Sequence, residues 1–230
     1  MPIGTPTTLG TNANGAGTSG TLTTSAVVPS GALAGLCIGW GVAAAATITS
    51  ISGGGLTWTV DHSQPFNGAI NWGFAVASAQ APAGLAASTV ITVNMTGGGV
   101  LGLLIGGWYC AGLDTGSPVD VHTGQNQTAD PWSTGNVSTT VADTLVIGGS
   151  FRNGQGTNTP SGGANELQDF QYATEQWSQC TEYKILSAAG SVSLDGTWNA
   201  PAGTPDVAAA LVAYKAAPAG ADTGLAWIKA

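Results

Sequence analysis

LAGLCIGWGV (residues 33–42) and VADTLVIGGSF (residues 141–151) share one pattern. Each has a small or polar lead-in, then Leu, two more apolar residues and Gly. Leu36-Cys37-Ile38-Gly39 lies against Leu145-Val146-Ile147-Gly148. Each copy has the length and β-branched or aliphatic content of a buried strand. The order of elements around them also repeats. In the first half, LCIG is followed by ITSISGGGLTWTVDHS, INWGFAVASA, STVITVNM and LLIGGWY. In the second, LVIG is followed by TPSGGANELQDF, QWSQCTEYKILS, GSVSLDGTW and AAALVAY. Each half thus gives a core strand, a Gly-Gly turn, a Trp-bearing strand, a Val-bearing strand and a final apolar strand ending in Tyr109 or Tyr214.

One such unit, with a single apolar face, is expected to be unable to close a core alone. Two copies packed face to face would close one. The expectation is an all-β fold: a two-sheet antiparallel β-sandwich, jelly-roll-like, with two internally similar halves, the alternative being two separate small β domains. Residues 1–19 are read as an N-terminal arm or first strand, residues 20–216 as the sandwich, and residues 217–230 as a tail. The halves fall at about 20–114 and 135–216. Turn chemistry punctuates the strands at SGGG (52–55), TGGG (96–99), NGQGTNTPSGG (153–163) and NAPAGTPD (199–206). Gly106-Gly107, just before Trp108, is expected to make room for a large indole across the sheet.

Composition narrows the function. Charged residues are 7% of the 230, and the net charge is −8 with four bases only: Arg152, Lys184, Lys215 and Lys229. A nucleic-acid backbone needs several Lys and Arg on one face, so nucleic acid is excluded, and anionic membranes with it. The first fifteen residues have no basic and apolar leader, and VLGLLIGGWYCAGL (100–113) is too short to span a bilayer. The chain is expected to fold in the cytoplasm where it is made. Cys37, Cys110 and Cys180 are odd in number and form no CxxC pair. They read as buried free thiols, with a Cys37–Cys110 disulfide as the alternative if those strands are neighbours.

Signals for chemistry are sparse. Asp61 and His62 are adjacent, so on a strand they point to opposite faces, whereas Asp120 and His122 share one. No G-x-S-x-G elbow accompanies them, and both histidines read as exposed strand-edge residues. Glu175 and Glu182 flank the start of one strand, but nothing in the spacing marks them as a glycosidase pair. No calcium loop is present, so no catalytic residue, metal or cofactor is expected. Six tryptophans (Trp40, Trp58, Trp72, Trp108, Trp177 and Trp198) sit in strand contexts and read as core. Trp132, in the polar loop TADPWSTG, reads as a stacking platform for a sugar or partner. Trp227 and Ile228, in GLAWIKA behind APAGADTG, read as an anchor onto a neighbouring subunit.

The order L-x-I-G, ITS-x-SGGG-x-TWT, a Trp-bearing strand ending A-x-A, S-T-V-x-T-V, and a long apolar strand ending WY-x-AGLD resembles Gly/Thr-rich β-sandwich domains. These occur in structural proteins of tailed bacteriophages and in bacterial surface proteins. The resemblance covers about residues 20–216 and is clearest in Ile48–Val60 and Leu101–Asp114. It implies a non-enzymatic virion protein, such as a capsid decoration or other head-surface or accessory subunit. Its implied partners are other virion proteins and further copies of itself. The alternative is a carbohydrate-binding or adhesion module contacting host-surface glycans.

Overall fold

The computed structural model describes residues 2–15, 17–42, 45–67, 71–97, 100–172, 177–199 and 206–218. Among them there is no helix, and eighteen strands carry the fold. The first half holds β1 (Thr7–Asn14), β2 (Ser19–Thr23), β3 (Ala32–Val42), β4 (Thr47–Gly53), β5 (Trp58–Asn67), β6 (Asn71–Ala81), β7 (Val90–Thr96) and β8 (Val100–Cys110). The second holds β9 (Val119–Gln127), β10 (Trp132–Ser133), β11 (Val137–Ser138), β12 (Thr144–Asn153), β13 (Thr157–Ser161), β14 (Asn165–Tyr172), β15 (Trp177–Leu186), β16 (Ser191–Val192), β17 (Asp195–Asn199) and β18 (Val207–Lys215).

The first half forms a five-stranded sheet, β1-β8-β3-β6-β5, and a three-stranded sheet, β2-β7-β4. This is the two-sheet strand order of a jelly roll, with β5 on the edge of the larger sheet. The second half repeats it: β9-β18-β12-β15-β14 forms the large sheet, and β10-β17-β13 with the short pair β11-β16 forms the small one. Among the described strands every pairing is antiparallel. The similar halves anticipated from the sequence are present, and each is itself a sandwich.

Burial patterns show why there are four layers. In β2 and β7 buried residues alternate with more exposed ones, as in a sheet with one wet face. In β3 all eleven residues are buried, and in β18 all but the last. Such strands must be covered on both faces. One core, with Leu22, Leu36, Ile38, Ile91 and Val93, lies between the sheets of the first half. A second, with Trp132, Val146, Val192, Leu194 and Leu211, lies between those of the second. The third is the seam, where the large sheets meet through Leu33, Phe74, Leu104, Trp108, Leu145, Phe151, Trp177 and Tyr214. A half therefore does close a core of its own, contrary to the expectation, because its small sheet covers the outer face of the large one.

The repeated phrase occupies equivalent central strands but not equivalent registers. Leu36 faces the small sheet of its half, whereas Leu145 faces the seam. Tyr109 packs against the first-half core and Tyr214 lies in the seam. A shift of one residue turns a strand over, so the two LxIG copies present opposite faces. The half boundaries also move outward. β1 pairs with β8, and β9 pairs with β18, so both belong to the large sheets. Their polar sequences, TTLGTNAN and VDVHTGQNQ, conceal this, because they are edge strands with solvent on one side.

β1 lies against β14, which is the counterpart of β5. β5 lies against β9, the counterpart of β1. The halves thus meet around an approximate two-fold axis passing between β3 and β12, as two subunits meet in an isologous dimer.

Candidate functional site

Glycine shapes the sheets on which any site stands. Gly35 is directly opposite Trp108, Gly73 opposite Trp40, and Gly196 opposite Trp132. A Cβ at Gly35 would lie 2.1 Å from the Trp108 indole, and one at Gly73 would lie 2.0 Å from that of Trp40. Each indole lies over the glycine across from it. Gly106 and Gly107 do not make room for an indole, which corrects the expectation from the sequence. They admit the Gln168 side chain and the Leu9 and Leu22 side chains respectively.

The seam is apolar with a few polar threads. The Gln179 amide Nε2 donates to the Cys37 carbonyl at 3.0 Å, and the Gln168 Nε2 to the Gly107 and Gly10 carbonyls at 2.9 and 3.1 Å. At the opposite edge Asn126 Nδ2 donates to the Pro65 carbonyl at 2.7 Å. Around them Trp72, Phe151 and Trp177 pack at 5.8–6.2 Å between ring centres, and Trp108 packs on Tyr214 at 5.5 Å. Each such aromatic contributes about 1.5–3 kcal/mol by burial, against about 1 kcal/mol for a hydrogen bond. Apolar burial holds the seam, and the amides fix its register. Nothing in the spacing announced these glutamines. The available signal was a polar residue inside a buried run, as in WSQC.

Where β5 meets β9, the seam gathers ionisable groups. The Tyr214 hydroxyl donates to Asp61 Oδ2 at 2.6 Å. Burial raises the Asp61 carboxyl above its ordinary value, while Tyr214, Ser78 and His122 pull it back. Burial and the Asp61 charge push the buried Tyr214 phenol well up, so it stays a donor. His62 stacks on His122, with ring centres 4.6 Å apart. Burial and His122 lower the His62 pKa, and its Nε2 is buried without a partner. His122 is exposed, and Asp120 is engaged with the Thr140 amide at 2.7 Å and its hydroxyl. The two histidines, distant in sequence, are thus neighbours across the seam.

Beside Asp61 opens a groove of about 660 Å³. Its walls are the β4–β5 turn, the turn after β6 and the segment entering β9, with Leu56, Thr57, Pro82, Ala83, Ser117 and Pro118 prominent. The first wall needs glycine: Gly53, Gly54 and Gly55 have φ of 137°, 66° and 68°, a left-handed run that other residues resist. Asp61 and Ser78 give the groove a polar patch.

Trp132 is not a stacking platform. It is 1% exposed in the second-half core, and its indole N–H donates to Asn158 Oδ1 at 3.0 Å. A short strand opposite Gly196 buries what the polar flanks suggested was a loop. Trp227 and Ile228 lie outside the described residues, as does Glu175. Glu182 is fully buried, accepts from Asn158 Nδ2 at 2.6 Å, and pairs across the sheet with Glu166. Its carboxyl is pushed up to about 8, by burial first. Cys37, Cys110 and Cys180 are free buried thiols. Cys37 and Cys110 are on neighbouring strands, but Cys37 pairs with Gly106 and Cys110 with Leu33. Four residues of offset is about 13 Å, too far for a disulfide. Among the described residues no three His, Cys, Asp or Glu side chains converge to hold a metal ion.

Comparison with protein-family models, with curated proteins and with solved structures returned no match to this chain.

Proposed function

We propose that the chain is a non-enzymatic structural subunit of a virus particle, an accessory virion protein that assembles with other virion proteins. The observation that carries this reading is the duplicated jelly roll. Jelly rolls recur in viral capsid and lectin domains, and the step from fold to function is an analogy of architecture. Two physical points support it. The halves are fused through a buried seam, which gives a stiff block rather than two hinged modules. The Asp61–Tyr214 and Gln168 and Gln179 contacts tie that block together instead of presenting groups to a substrate. The glycan-binding alternative loses its first aromatic platform with Trp132 in the core.

The test is mass spectrometry of density-banded virus particles from cells that express the chain. The reading expects the chain in the particle band at a fixed ratio to the other particle proteins. Its absence from every particle band would overturn the reading.

A further inference from the structure

The groove beside Asp61 lies where the described chain leaves the second half. The Lys215 amide donates to the Pro118 carbonyl at 2.8 Å, and Ala217 N to the Gly112 carbonyl at 2.9 Å. Lys215 Nζ reaches Ser117 Oγ at 3.4 Å. Ser117 and Pro118 are themselves walls of the groove, so residues 217 and 218 depart from its rim. Beyond them the sequence reads AGADTGLAWIKA, in which Leu225-Ala226-Trp227-Ile228 is the one apolar cluster.

The groove matches that cluster chemically. Leu33, Leu56, Pro82 and Val119 give it apolar walls, and it is an open groove of about 660 Å³. Asp61 gives it one anionic acceptor. Its Oδ2 holds the Tyr214 hydroxyl, and a carboxylate has further lone pairs to offer. An indole is an apolar body with a donor and no acceptor, which suits an apolar groove with a carboxylate in it.

The spacer is long enough for the segment to reach another molecule. From Pro218 to Trp227 is nine residues, and at about 3.3 Å each they span at most roughly 30 Å. That suffices to cross to the groove of a neighbouring copy. We propose that Leu225–Ile228 of a second copy of this chain seats in the groove, with the Trp227 N–H directed at Asp61. This deepens the assembly reading by naming a partner, and rests on it for its biological sense alone.

The test uses full-length protein, residues 1–217, and full-length Trp227→Ala, Thr57→Trp and Ala83→Glu, the last two placing bulk or charge on exposed groove walls. Native mass is read by light scattering over a concentration series. A fluorescein-labelled peptide of residues 221–230 is titrated into residues 1–217 and read by anisotropy. Circular dichroism and the melting temperature show that each variant folds. The expected result is a full-length oligomer and monomers for the other four. The peptide should bind residues 1–217, and bind at least tenfold more weakly when either groove substitution is present.

Three results would each overturn the proposal. The peptide fails to bind. The oligomer survives truncation. Full-length protein is monomeric although the peptide binds, which puts the segment in its own groove. Absence of the chain from virus particles would sink the virion reading and leave these measurements standing.

Discussion

Glu182 is a carboxyl inside a sheet, fully buried, with one oxygen bonded to Asn158 and the other unpartnered. Its pKa of about 8 lies above the ordinary 4.5, so the folded state binds a proton that the unfolded state releases. Stability contributed by the neutral form is complete below pH 4.5 and is lost as pH rises to about 8. Glu182→Gln, neutral at every pH, should therefore raise stability at pH 9 by something on the order of 3 kcal/mol and change it little at pH 4. Urea midpoints at the two pH values check this. His62 titrates in the opposite sense. Its pKa is lowered, so stability is lost as pH falls below its ordinary value of 6.5. The groups facing it are His122 and Gln64, while Asp61 faces His122, Ser78 and Tyr214. His62→Gln should flatten the stability–pH curve between pH 7 and 5, measured by thermal unfolding across that range. At this scale the sequence was least legible. Its polar flanks made Trp132 look exposed, and no spacing joined Asp61 to Tyr214 or His62 to His122, because each pair spans the seam.

The elements were easier to read than the residues. Runs such as VLGLLIGGWY and VAAALVAY identify central strands because only strands covered on both faces are apolar throughout. That continuity is accounted for by four layers, where the sequence reading expected two. β7 was legible from its period-two alternation. β9 was not, since a polar edge strand carries no hydrophobic period, and β1 was legible only as an arm or first strand. The Trp–Gly pairs explain three of the strand glycines and make a firm prediction. Gly35→Ala puts a methyl into the Trp108 indole and Gly73→Ala into that of Trp40. Each should cost about 1–3 kcal/mol, the usual range for overpacking a core. Trp108→Phe should recover part of the loss in Gly35→Ala and none of it in Gly73→Ala. A double-mutant cycle in urea measures both.

The whole molecule is two jelly rolls fused back to back around an approximate two-fold axis. Duplication was visible in the order of elements, because strand order survives when residue register does not. The two-fold arrangement was not visible, since it depends on which edges meet. Its consequence is mechanical. The large sheets bury each other through Trp72, Phe74, Trp108, Phe151, Trp177 and Tyr214, so separating the halves exposes three tryptophans, two phenylalanines and a tyrosine. Neither half should open while the other stays folded. The assembly proposal rests on this single rigid block. The most direct test is native-state hydrogen exchange read by mass spectrometry on peptides from β3 and β8 in one half and β12 and β18 in the other. The account predicts that all four exchange through one opening of equal free energy, which falls equally in urea. If β3 and β8 exchanged through a markedly cheaper opening while β12 and β18 stayed protected, or the reverse, the halves would be independent modules and the account would be wrong.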